Sequence, residues 1–105
     1  MIGPKDFTLS LLAADDLLRM YDHLAATDRI AAGRLLDDIN AKIAHMADIG
    51  FPGAARDWLR PGLRALPYKG HCIYFRVSDS HLHVVRVLHG RQNLTTDDFP
   101  ESDDT

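Results

Sequence analysis

One cysteine, Cys72, in 105 residues excludes an internal disulfide and a cysteine-based zinc site, and nothing around it marks a nucleophile. It reads as an ordinary strand residue. Long apolar runs are missing too. LSLLAA and HVVRVLH fall far short of the roughly 20 residues that cross a bilayer, and the opening MIGPKDF lacks the apolar centre of a secretion signal. The expectation is a cytoplasmic protein with no membrane partner. The length allows one domain with one modest core, and the 46% hydrophobic and 26% charged content is that of a globular protein.

Acidic side chains are scarce in one block only. The net charge of -3 conceals seven basic residues against Asp57 and Asp79 between positions 51 and 94. Asp97, Asp98, Glu101, Asp103 and Asp104 then crowd the final stretch. Four of the six histidines (His71, His81, His83, His89) share the basic block, where mild acid strengthens its positive field. Such a block is either a solvated sheet face or a docking surface for something acidic.

The periodicities are clear enough to order the elements. KDFTLSL alternates as a short strand with Phe7, Leu9 and Leu11 on one side. AADDLLRMYDHLAA follows as a helix whose stripe is Leu17, Met20 or Tyr21, and Leu24. Thr27 or Asp28 caps a second helix from about Arg29 to Asp48, with Ile39, Ile43 and Met46 in helical period. So short a link makes the helices antiparallel neighbours. Gly50, Pro52 and Gly53 end the pair, and a connector follows with Trp58 as its expected core anchor. LRALPY, HCIYFRV and HLHVVRVLH then form an antiparallel meander around Lys69-Gly70 and the SDS turn. Ile73, Phe75 and Val77 should face the core, and Cys72, Tyr74 and Arg76 the other side. In the last strand either Val85 and Val87 or Val84 and Leu88 face inward. The first strand returns along the sheet. The predicted fold is α+β, in the order βααβββ, with a helical hairpin packed on a small antiparallel-meander sheet.

Within that order, GLRALPYKGHCIYFRV followed by VVRVLHGRQNL resembles ParE-type toxins of the ParE/RelE superfamily of bacterial toxin-antitoxin systems. Those proteins place an LR strand, a G-x-x-x-I-x-Y-R-V-like strand and a final R-V-L-H-G-x-R-x-L-like segment at similar spacing. Here Arg91 directly follows the glycine, and the pattern's second arginine is shifted or absent. The resemblance runs from LSLLAADDLLRMYDHLA through Leu94. It makes residues 1–94 a toxin domain and leaves 95–105 as an acidic, disordered tail.

The resemblance implies a toxin that arrests growth by inhibiting DNA gyrase, is neutralised by a cognate ParD-like antitoxin, and needs no cofactor or metal. It implies neither catalysis nor specific nucleic-acid binding. The alternatives are a RelE-like, ribosome-dependent messenger-RNA endoribonuclease and a non-toxic relic that only binds its antitoxin. An RNase set would comprise Arg64, His89 and Arg91. Against it, Cys72 stands where an arginine is expected, and no tyrosine follows Gly90. Target binding falls to Arg76, Arg86, His89 and Arg91, and antitoxin binding to Tyr21, Arg64, Tyr74 and Arg76. The plainer reading of Arg86 is a mid-strand side chain paired with an acid such as Asp79.

Overall fold

Ser10 ends a strand and starts a helix. Its backbone is extended, its hydroxyl accepts the Ala13 N–H at 2.9 Å, and the same hydroxyl donates to the Val85 carbonyl at 2.7 Å. An N-cap within hydrogen-bonding reach of a distant strand fixes where the helix leaves the sheet. The computed structural model describes residues 6–78, 81–90 and 93–99; Asp79 and Arg91 lie outside them.

Strand β1 (Asp6–Leu9) leads into helix α1 (Leu11–Ala25) and helix α2 (Arg29–Ile49), which Asp28 caps through the Ala31 N–H at 2.9 Å. Gly50, at φ 66°, closes α2 in the left-handed conformation. Then come β2 (Ala54–Ala55), β3 (Arg64–Tyr68), β4 (His71–Ser78) and β5 (His81–His89). The sheet order is β1-β5-β4-β3-β2, with β1 parallel to β5 and the other pairs antiparallel. The helical hairpin on a small sheet is as expected from the sequence. The sheet, however, is mixed and five-stranded, because the connector adds the two-residue β2. The first strand also stops at Leu9, since Ser10 caps the helix and leaves Leu11 70% exposed on α1.

A bulge settles the ambiguity in β5. Tyr74 pairs with Arg86 but Phe75 with Val84, so Val85 is the extra residue. Alternation changes phase there. Leu82, Val84 and Val87 face the helices with Ile73, Phe75, Leu17, Ile39 and Ile43, whereas Val85 and Leu88 face the opposite side. Neither pair expected from strict alternation is correct. The carbonyl of Val85 finds its partner in Ser10, and the Val87 N–H donates to Asp16 at 3.0 Å. Helix α1 thus satisfies backbone groups around the irregularity.

The outer face is a second core. Cys72 and Tyr74, expected on an open side, are only 6% exposed each, while Val77, expected inside, is 36% exposed. The cover consists of Leu59 and Leu63 from the connector and Phe99 from the C-terminal segment. Trp58 does not anchor the connector; it is 69% exposed, and Leu59 beside it takes the buried place. The tail expectation is also corrected for its described part. Thr95 and Asp98 form a reciprocal capping box around the turn Thr96–Asp98, and Phe99 is fully buried, edge-on to Tyr74 with centroids 4.9 Å apart. One apolar ring in an acidic stretch suffices to fix it to the sheet.

Burial pushes the Cys72 thiol up from its ordinary 9.0, and burial with the hydrogen bond that the Tyr74 hydroxyl donates to the Cys72 sulfur pushes that hydroxyl well above its ordinary 10.0. The folded chain therefore holds these protons at pH values where the unfolded chain releases them. Stability is full below about pH 9 and declines as pH rises further. Thermal melts between pH 7 and 10.5 on parent and Cys72→Ala should show a shallower alkaline decline in the variant; equal slopes would contradict this assignment.

Candidate functional site

The two-residue turn between β3 and β4 has Lys69 at φ 50° and Gly70 at φ 79°, the geometry of a tight hairpin. It brings three strand ends together. Tyr68 stands opposite His71, and His71 opposite His89, whose ring lies edge-on at 5.7 Å. The Gly90 N–H donates to the Gly70 carbonyl at 3.0 Å, so the end of β5 is tied to the turn. A Cβ on Gly90 would sit 3.2 Å from that same oxygen, which explains a glycine there.

These residues line an open concavity of about 560 Å³. Lys42 and Lys69 place their ammonium groups 5.5 and 5.8 Å from the centre of the Tyr68 ring. Lys69 also bonds Asp38 at 2.8 Å, which raises its pKa from the ordinary value. The corner is cationic, with the two histidine rings beside the lysines. His89 is exposed here, and Arg91 follows it in sequence. Sequence reasoning missed Lys42, Tyr68, Lys69 and His71. The hairpin spacing of Lys69-Gly70 was the signal that would have set Tyr68 and His71 side by side.

Arg86 lies elsewhere in role. Its Nε and Nη2 donate to the two Asp16 carboxylate oxygens at 2.8 and 2.7 Å, and Nη1 donates to the Asp98 carbonyl at 2.9 Å. The side chains are 17% and 7% exposed. The partner among the described residues is Asp16 on α1, Asp79 lying outside them, and the guanidinium joins helix, sheet and tail instead of facing outward as a target contact. Tyr74 is likewise removed from the expected antitoxin surface, since Phe99 covers it.

Arg64 and Arg76 remain at the surface, donating to the carbonyls of Pro52 and Pro61 respectively. Arg64 pairs in register with Phe75, whereas His89 pairs with His71 at the other end of β4. The two positions are four residue steps apart on β4, about 13 Å along the strand. Arg64 and His89 therefore do not meet around a common phosphate. Among the described residues no cluster of three or more histidine, cysteine or acidic side chains is arranged to hold a metal.

Tyr21 opens on a different feature. With Leu9, Ala14, Leu17, Leu18 and Leu36 it lines an apolar groove of about 430 Å³ between the helices and β1. Leu11 and Leu18 are 70% and 58% exposed, so α1 carries an outward apolar stripe beside the buried one of Ala13 and Leu17. β1 is the outermost strand at this side of the sheet.

In structure, the chain is similar to one described as the chromosomal ParDE TA system from P. aeruginosa, with a TM-score of 0.67, 24% identity, and coverage of 81% of this chain and 95% of that one. At that identity the likeness establishes the fold. No curated protein matches the chain in sequence. The family model of the ParE toxin of the type II toxin-antitoxin system parDE matches residues 7–94, from β1 to just beyond β5, and the chain belongs to that family.

Proposed function

We propose that the protein arrests bacterial growth by inhibiting DNA gyrase without cutting RNA or DNA, and that a ParD-like antitoxin neutralises it in the cytoplasm. The observation that carries the non-cleaving reading is the separation of Arg64 from His89. General acid-base cleavage needs both groups within hydrogen-bonding reach of one reacting centre. The basic corner of Lys42, Lys69, His71 and His89, continued in sequence by Arg91, is a surface for an acidic partner. Arg76 stays a candidate contact to the target and Arg64 to the antitoxin, each with its guanidinium at the surface.

The apolar groove at Tyr21 and Leu18 fits an amphipathic helix of the antitoxin, and the free edge of β1 an extended segment continuing from it. Purified protein should inhibit gyrase supercoiling and leave ribosome-bound messenger RNA intact. Codon-positioned cuts with unchanged supercoiling would make it an RNase instead. Leu18→Glu places a charge in the groove at a position with little folding duty. It should weaken antitoxin binding by about 2 kcal/mol or more while gyrase inhibition persists. Calorimetric titration beside a supercoiling assay checks both halves; unchanged antitoxin affinity removes the groove from the interface.

A further inference from the structure

Helix α2 sends Ile39 and Ile43 fully into the core, but the next row round the helix is broken. Leu36 and Asn40, four apart, stand one above the other on that row. Leu36 is half-buried and packs against the edge of the core, whereas Asn40 is exposed. Facing them from α1 are Ala14, Leu18 and Tyr21, spaced four and three apart, and together they wall the groove beside β1. The wall is apolar apart from the Asn40 amide and the hydroxyl at the tip of the Tyr21 ring. No described residue lining it is charged. Among the described residues no protein group bonds the Asn40 side chain, which is left to solvent.

Folding gives no reason for an amide at this place. Asparagine is among the weaker helix formers, and residue 40 lies off the core stripe of Ile39 and Ile43. A leucine would suit both the helix and the groove better. The amide acts only when the groove is covered. A helix laid there removes its water, and an amide with two donors and an acceptor then needs a partner from the incoming chain. A charged side chain is a poor partner, because the wall offers no counter-charge. The matching group is a neutral side chain with both a donor and an acceptor, an asparagine or a glutamine.

We infer that Asn40 fixes the register and the identity of the antitoxin helix in the groove, by pairing with one amide side chain that the antitoxin carries among its apolar contacts. The inference rests on the antitoxin reading of the groove and adds a selector to it. Leu18 and Leu36 cannot select. Apolar walls accept aliphatic side chains of similar size almost alike, whereas a site built for a hydrogen bond rejects the analogue that lacks it. Sliding the helix by one turn, about 5.4 Å, sets an apolar side chain against Asn40 and strands the antitoxin's own amide. The wrong register therefore fails twice. One polar residue in an apolar seam lowers affinity somewhat and specifies the pairing in return.

The test titrates the full-length chain calorimetrically with the antitoxin encoded by the adjacent reading frame. Asn40→Leu should melt with the parent or above it, and bind that antitoxin at least tenfold more weakly. In the antitoxin, each asparagine and glutamine of the bound helix is then changed in turn to leucine. One of these variants should bind the parent chain at least tenfold more weakly and regain most of the loss against Asn40→Leu, a rescue that a merely structural role of Asn40 does not produce. Leu18→Glu should weaken every antitoxin variant alike and be rescued by none. Parent-like affinity in Asn40→Leu, or a loss that no antitoxin variant restores, overturns the inference, while a weakened Leu18→Glu keeps the groove as the antitoxin site. Unchanged affinity in Leu18→Glu removes the antitoxin from the groove, and the role of Asn40 with it. An adjacent gene product that does not bind the parent chain overturns the toxin-antitoxin reading itself.

Discussion

Asp16→Ala should lower stability by about 3 kcal/mol, roughly 12 °C or more in Tm for a domain of this size. The Asp16 carboxylate accepts three bonds, from Arg86 Nε, Arg86 Nη2 and the Val87 N–H. Truncation leaves a guanidinium that is 17% exposed without its counter-charge, beside a strand N–H without its acceptor. The cost is that of stranding buried donors, so it exceeds what an exposed pair contributes. Asp15, one residue earlier, gives the comparison. Its bond to Arg19 is equally short at 2.7 Å, but the side chains are 49% and 79% exposed, and Asp15→Ala should change Tm little. The double substitution Asp16→Ala with Arg86→Met should be markedly more stable than Asp16→Ala alone, because it removes the stranded charge. Denaturant melts of the parent, Asp16→Ala, Arg86→Met and the double variant give the coupling directly. If the double variant falls by the sum of the single losses, the pair is not what holds α1 to the bulge.

That pair also marks where sequence reading stops. Arg86 was legible as a mid-strand arginine with a plain role in an ion pair, but its partner lies 70 positions away. Nothing in local periodicity points from β5 to α1. The bulge at Val85 was hidden for a related reason: HLHVVRVLH has apolar residues on both registers, and alternation cannot choose between them when both faces are buried. By contrast, helix limits were readable to within a residue at Asp28 and Gly50, because caps are local chemistry. Hairpin limits at Lys69-Gly70 were readable for the same reason. Of the site, the basic corner was half visible. His89 stood out in the strand that carries it, but Lys42 comes from a helix and joins only through the Tyr68 ring. Trp58 was misplaced because size and hydrophobicity favour burial on average, while the loop's bonds decide which of two neighbours turns inward.

Phe99→Ala should cost about 3 to 5 kcal/mol, as large losses of buried aromatic volume do. The ring is fully buried among Leu59, Leu63, Tyr74 and Leu88, and it meets Tyr74 edge-on at 65°. It lies five residues past the family match, which ends at 94, so the outer core is closed by a segment that the shared toxin pattern does not include. Loss of the ring removes more than its own contacts. The carbonyls of Thr96, Asp98 and Phe99 hold Arg60 and Arg86, and they stay in place only while the ring seats the turn. A chain ending at Leu94 should therefore be at least as unstable as Phe99→Ala and should expose Cys72 to thiol reagents. Phe99→Leu, which keeps a large apolar side chain, should recover most of the stability. The effect on the docking face is separable from the effect on folding. At a temperature where Phe99→Ala remains folded, antitoxin affinity should match the parent, because the groove at Leu18 lies across the sheet from this core. Melts of Phe99→Ala, Phe99→Leu and the shortened chain, with the rate of Cys72 modification in each, decide the matter. A chain ending at Leu94 that melts with the parent and keeps Cys72 protected would show that the tail is no part of the folded domain.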